Sequence, residues 1–128
     1  MPDNLMDDPF LKYINPVPVE RHPECIDLMV RRIVDAVGPR RVILFGSRAR
    51  GDHHPRSDVD LLVEMDGRLN GDQILDVSIT AGVSVANAPL AKDIVVLGSE
   101  QVEGESKSWY SVAHHALKDG KVLYERSA

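Results

Sequence analysis

Two short runs rich in strand formers, RVILF at 41–45 and VDLLVE at 59–64, enclose a polar loop that opens on Gly46-Ser47 and closes on Asp58. This joined pattern constrains the chain more than any other feature in it. Gly46, directly after an apolar strand, lets the backbone turn sharply and approach a ligand closely. If a short helix starts over Ser47 to Arg50, its free N–H groups point where a phosphate would sit, and the Ser47 hydroxyl adds a donor. Asp58 and Asp60 stand two apart at the head of the second run. Strand geometry puts both carboxylates on one face and turns Val59 and Leu61 to the core. Two like charges so placed repel unless a divalent cation bridges them, and hard oxygen ligands at this spacing suit Mg²⁺ or Mn²⁺. A phosphate seat beside paired carboxylates is what moving a nucleotide from a triphosphate needs.

The rest of the composition narrows the setting. A chain of 128 residues makes one domain with a single core. No apolar run approaches the roughly 20 residues that span a bilayer, which argues against a membrane protein. One cysteine, Cys25, leaves no internal disulfide and no zinc pattern, the usage of a cytoplasmic protein. The net charge of −5 argues against extended nucleic acid as partner. Yet residues 40–57 hold five arginines (Arg40, Arg41, Arg48, Arg50, Arg56) against one acid, Asp52, which suits a small polyanion.

The chain divides into an arm and a domain. Residues 1–20 carry four of the eight prolines and no periodicity, and they read as an extended arm that is disordered or laid along another surface. Residues 21–128 read as one domain. Ile26, Met29, Val30, Ile33, Val34 and Val37 repeat at helical spacing after Pro23, and Gly38-Pro39 stops that helix. Beyond the two strands, Ile74, Leu75, Val77, Ser78 and Ala81 predict a second helix that Asn87-Ala88-Pro89 breaks. DIVVL at 93–97 predicts a strand covered on both faces. Residues 106–118 predict a last helix with Trp109, Val112, Ala113, Ala116 and Leu117 on one face, closed by Gly120, and VLY at 122–124 a final strand. The order implies an α/β (α+β) fold, a mixed β-sheet of about four strands with helices packed against it.

Gly-Ser turns and Asp-x-Asp pairs are each common, but joined by ten intervening residues between two strands they become specific. At this point the chain resembles the polymerase-β-like nucleotidyltransferase superfamily, and GSRARG followed by SDVDL is similar to its minimal nucleotidyltransferase branch. The similarity runs from residue 23 to about 125 and includes the closing GKVLYE. It implies a metal-dependent transfer of a nucleoside monophosphate, AMP from ATP, with Gly46 and Ser47 on the β- and γ-phosphates and Asp58 and Asp60 on the metals. It also implies a third carboxylate on a neighbouring strand that activates the incoming hydroxyl. Asp93 at the head of DIVVL fits, with Glu64 and Asp66 as fallbacks. Arg48 and Arg50 are candidates to clamp phosphate, the alternative being solvation or pairing with Asp52.

The acceptor is the harder question. The chain ends where the catalytic domain of such relatives ends, so the acceptor surface is expected from a second copy or a partner. Relatives of this look are paired with HEPN-type helical RNase toxins, and some act as antitoxins that transfer AMP to the toxin. The leading expectation is an antitoxin-like protein adenylyltransferase, with the proline-rich arm along its partner. The alternatives are a homodimeric transferase acting on a small hydroxylated molecule or nucleic acid end, and an antitoxin that binds without catalysis. His53-His54, His114-His115, Trp109 and Tyr110 are read as surface, core or interface residues, since the aromatics are too few for a base-stacking platform.

Overall fold

In the computed structural model, which describes residues 8–13 and 16–127, Pro23 stands in the first turn of helix α1 (His22–Val37). The predicted apolar stripe faces inward, with Met29 and Ile33 fully buried. Each such side chain contributes about 1.5–3 kcal/mol by leaving water. Gly38 ends the helix at φ +58°, where its N–H donates to the Val34 carbonyl at 3.0 Å. After strand β1 (Arg41–Phe45) come the one-turn helix α2 (Ser47–Arg50) and strand β2 (Val59–Met65).

Helix α3 (Gly71–Ser84) starts ahead of its apolar residues because Asn70 and Gln73 form a reciprocal cap. The Gln73 N–H donates to the Asn70 side chain at 2.8 Å, and the Asn70 N–H to the Gln73 side chain at 2.9 Å. Strand β3 (Lys92–Gly98) follows. The helix expected over 106–118 forms only in its second half, as α5 (Val112–Asp119), and a helix that the sequence did not signal, α4 (Ser99–Glu105), precedes it. Ser111 sets the late start as the cap of α5: its hydroxyl accepts the His114 N–H at 3.0 Å and donates to the Glu105 carbonyl at 2.7 Å. Trp109 and Tyr110 therefore lie in a turn, 75% and 76% exposed, rather than on a packed helix face. Strand β4 (Lys121–Glu125) closes the sheet.

The sheet order is β3-β2-β1-β4, with β2 and β3 parallel and the other pairs antiparallel, the mixed sheet expected. Side chains alternate between two layers. Val42, Leu44, Val59, Leu61, Val63 and Val96 pack with α1 and α3, whereas Ile43 and Leu62 pack with α4 and α5 through Val102, Ala113 and Ala116. Strand β3 packs on both faces, Ile94 and Val96 on one and Val95 and Leu97 on the other. As an edge strand, however, it leaves Ile94, Val95 and Leu97 only half-buried.

The described part of the arm lies on its own domain. Phe10, Tyr13 and Val17 are buried in the α1–α3 layer, and the Asp8 carboxylate accepts from Asn87 at 2.5 Å and Arg32 at 3.4 Å. Residues 1–7, 14 and 15 of the arm lie outside the described residues. Leu75, Ile79 and Val83, one turn apart, form an exposed apolar ridge on α3. Among the described residues, no helix is long and apolar enough to cross a membrane.

Candidate active site

The turn from β1 into α2 is built on Gly46, at φ +74° and ψ −157°. That backbone region is essentially reserved for glycine. The space above it is filled as well: a Cβ on Gly46 would overlap the Asp60 Oδ2 and stand 3.1 Å from the Asp60 Cγ. The turn and the carboxylate are thus packed directly against each other. In α2 the Ala49 and Arg50 N–H groups both donate to the Gly46 carbonyl, at 3.1 and 3.2 Å. The N–H groups of Ser47 and Arg48, at the start of the turn, have no intrahelical acceptor.

The sheet register aligns the acids. Phe45 pairs with Asp60 across β1–β2, and Asp60 pairs with Asp93 across β2–β3. Neighbouring strands lie about 4.8 Å apart, and alternate residues on one strand roughly 6.6 Å. Asp60 and Asp93 therefore share the α4/α5 side of the sheet, at its open end, with Asp58 two residues earlier on the same side. Asp60 is half-buried, while Asp58 and Asp93 are exposed. Burial first, then the charges of Asp93 and Asp58, push the Asp60 carboxyl upward from its ordinary value, and Arg50 and Arg48 act the other way.

The other acids near this face are occupied. Glu64 is buried and ion-paired with Arg41 at 2.5 Å. Asp66 is held by Arg126 at 2.6 Å and Arg40 at 3.6 Å, and the two arginines lower its carboxyl. Lys92, beside Asp93, turns its ammonium to the Ala88 and Leu90 carbonyls at 2.9 and 3.3 Å. Among the described residues, Asp58, Asp60 and Asp93 make no ion pair. No group of three His, Cys, Asp or Glu side chains among the described residues is already gathered as a metal cage. The three carboxylates are neighbours in the register. Their oxygen donors, lack of a basic partner and raised Asp60 fit a hard divalent cation, which would draw them in by side-chain rotation.

The two arginines part company. Arg48 was expected as a phosphate clamp, but it turns inward and is 6% exposed. Its Nε and Nη2 donate to the Ser57 carbonyl at 3.1 and 2.9 Å, and its Nη1 to His22 Nδ1 at 3.2 Å. Burial pulls its guanidinium down from the ordinary value, and Asp58 and Asp60 partly offset this. Its donors are spent on the loop and on His22. Arg50 is exposed on the rim and pairs loosely with Asp52 at 3.2 Å. It lines a groove of about 330 Å³ with Gly46, Tyr110, His115 and Asp119. Sequence reasoning gave Tyr110 and His115 no place here, because the α4–α5 turn that brings them lies some sixty residues beyond Gly46 and carries no local motif.

The remaining candidates are structural. His54 holds the loop, its Nδ1 accepting from the Arg56 N–H at 3.1 Å, and His114 Nδ1 meets the Ser106 carbonyl at 2.9 Å. Cys25 is fully buried, and burial pushes its thiol up, which makes it inert.

Comparison with known proteins bears on the family and the fold. The family model for the nucleotidyltransferase domain matches residues 26–112. A curated relative from Methanocaldococcus jannaschii, named "Putative protein adenylyltransferase MJ0604", is 34% identical over 89 residues, spanning 66% of this chain and 78% of its own. Among solved structures, "a putative nucleotidyltransferase from Sulfolobus solfataricus" superposes with a TM-score of 0.59 at 23% identity, covering 84% of this chain and 83% of that one. A toxin-antitoxin structure with AMP-PNP gives a TM-score of 0.50 at 17% identity, covering 79% and 74%. At these identities the two solved structures speak to the fold.

Proposed function

The chain belongs to the nucleotidyltransferase domain family, and from that premise we propose that it transfers AMP from ATP to a hydroxyl on a partner protein, as the antitoxin of a HEPN-type toxin pair. The observation that carries this reading is the row across the sheet: the Gly46 turn packed on Asp60, and Asp60 paired in register with Asp93. The names of the curated relative and of the toxin-antitoxin structure with AMP-PNP support the choice of nucleotide and acceptor.

Each residue then has a task. Ser47, with the free N–H groups of its turn, receives the β- and γ-phosphate oxygens, and Arg50 at the rim offsets their charge. Asp58, Asp60 and Asp93 would hold Mg²⁺ or Mn²⁺, which would supply neutralising charge for the triphosphate and the leaving pyrophosphate. Asp93 takes the acceptor's proton as the new oxygen–phosphorus bond forms. The bond from the α-phosphorus to the bridging oxygen breaks, and pyrophosphate leaves with that electron pair. The exposed ridge of Leu75, Ile79 and Val83 and the exposed Trp109–Tyr110 pair support action together with a second chain.

Intact mass spectrometry of the protein that co-purifies from the native host, with and without Mg-ATP, tests the reading. A gain of one or more AMP units on the partner, lost when Asp58→Asn and Asp60→Asn are combined, is the expected result. A partner that stays bound without gaining mass would leave inhibition by occlusion. With no partner at all, a small hydroxylated acceptor becomes the substrate to pursue.

A further inference from the structure

Asp60 and Asp58 are held by different means. Asp60 lies inside the ladder, paired on one side with Phe45 and on the other with Asp93. Asp58 lies one residue outside it: the first tie across to the β3 side is the Val59 N–H to the carbonyl of Ala91, the residue before β3, at 2.8 Å. Residues 51–56, which lead up to Asp58, are all exposed. Ser57 is tied to His54 within that exposed loop, its N–H donating to the His54 carbonyl at 2.9 Å and its hydroxyl accepting the His54 N–H at 3.0 Å, but its carbonyl, in the peptide before Asp58, is held to the body of the domain by the Nε and Nη2 of Arg48.

Arg48 is itself held from behind. Among the described residues it is the one buried cation, and its Nη1 donates to His22 Nδ1 at 3.2 Å. His22, 4% exposed at the start of α1, places Nε2 at 2.9 Å from the Val17 carbonyl. A guanidinium only donates and a carbonyl only accepts, so in this chain of contacts Nδ1 is the acceptor from Arg48 and Nε2 the donor to Val17. An unbroken line of donors and acceptors runs from Val17 in the arm through His22 and Arg48 to Ser57, next to Asp58.

We propose that His22 and Arg48 are positioning residues for Asp58, tying the peptide ahead of the metal-binding pair to α1 and to the Val17 carbonyl. The proposal rests on the reading of Asp58 as a metal ligand. It makes the placement of Asp58 depend on the arm residues packed over α1, although neither they nor His22 touch a substrate.

The test uses the full chain with His22→Ala, His22→Gln and, as reference, Asp58→Asn. Mn²⁺ affinity without nucleotide, melting temperature and hydrogen–deuterium exchange of residues 52–59 are measured for each. His22→Ala weakens Mn²⁺ binding roughly tenfold, the scale seen for groups that orient metal ligands, and speeds exchange in 52–59 beyond the rest of the chain. His22→Gln, which offers one amide donor and one acceptor, recovers most of both losses. A lower melting temperature with unchanged Mn²⁺ affinity and no selective exchange in 52–59 would overturn the proposal and make His22 a packing residue. If His22→Ala does not fold, Arg48→Lys, which keeps the charge but loses the paired donors, is judged by the same readouts. Loss of Mn²⁺ binding in Asp58→Asn but not in the His22 variants overturns the positioning role and upholds Asp58 as a metal ligand. Unchanged binding in Asp58→Asn overturns the metal reading, and the positioning role with it.

Discussion

Replacing Gly46 by alanine isolates what the turn contributes to the site. Two costs act together. Alanine at φ +74° and ψ −157° stores about 1–3 kcal/mol of backbone strain. Its Cβ also displaces the Asp60 carboxylate, and pushing that side chain off its rotamer adds about 0.5–1.5 kcal/mol. The sum is about 1.5–4.5 kcal/mol. Gly38→Ala is the control, since φ there is +58° and nothing lies within 4 Å of the added Cβ. It costs only the left-handed penalty, about 1–2 kcal/mol. Denaturant unfolding with linear extrapolation measures both variants.

The carboxylate part is separable by a double-mutant cycle. Asp60→Ala removes Oδ2 and Cγ but keeps the Cβ, which lies an unstrained 3.4 Å from the new methyl. In that background Gly46→Ala becomes cheaper by about 1 kcal/mol, the coupling expected of groups in contact. On the proposed role of Asp60 as a metal ligand, activity responds more steeply than stability, because the displaced carboxylate would no longer face the cation with its neighbours. Gly46→Ala no costlier than Gly38→Ala, or equally costly with and without the Asp60 carboxylate, would refute the packing of turn against carboxylate.

The remaining predictions concern the acids and one cap. Asp60 is raised in the folded state, so its contribution to stability is full at acid pH, below its unfolded pKa, and is lost as pH rises through the folded pKa. Asp60→Asn therefore raises the melting temperature of the metal-free protein at neutral pH and gains nothing in acid; an unchanged melting temperature at neutral pH would contradict this. Mg²⁺ stabilises the wild type by mass action and the variant far less, as a melting titration would read. Glu64→Gln leaves Arg41 partly buried without its ion pair and costs about 3 kcal/mol of stability, with divalent-cation affinity unchanged; calorimetry that finds weaker Mn²⁺ binding instead would return Glu64 to the metal site. Ser111→Ala removes the α5 cap at a cost of about 1 kcal/mol, measured by urea unfolding, and loosens the turn that presents Trp109 and Tyr110.

Much of this protein was legible in the order of its residues, because its strongest signals are local. The 3.6-residue stripe from Ile26 to Val37, the runs at 41–45 and 59–64 and the two-residue spacing of Asp58 and Asp60 need no knowledge of the fold. The family that they imply is the one to which the chain belongs. Local signals failed where two meanings share one pattern. Apolar spacing from Trp109 to Leu117 looks helical, but Ser111 serves as a cap and the aromatics fall outside. DIVVL looks like a central strand, yet an edge strand between two helical layers needs the same apolar residues.

Tertiary structure alone decided which charged side chains are free. Arg48 and Arg50 sit two apart in one motif and look alike in sequence, but only the fold brings the Ser57 carbonyl and His22 to Arg48 and leaves Arg50 at the rim. Glu64, Asp66 and Asp93 are all acids near the same sheet. Arginines from β1, the loop before it and the chain's end claim the first two, and the parallel pairing of β3 with β2 sets Asp93 beside Asp60. Whether a charge has a partner depends on which distant segments fold against it, and periodicity along the chain cannot record that.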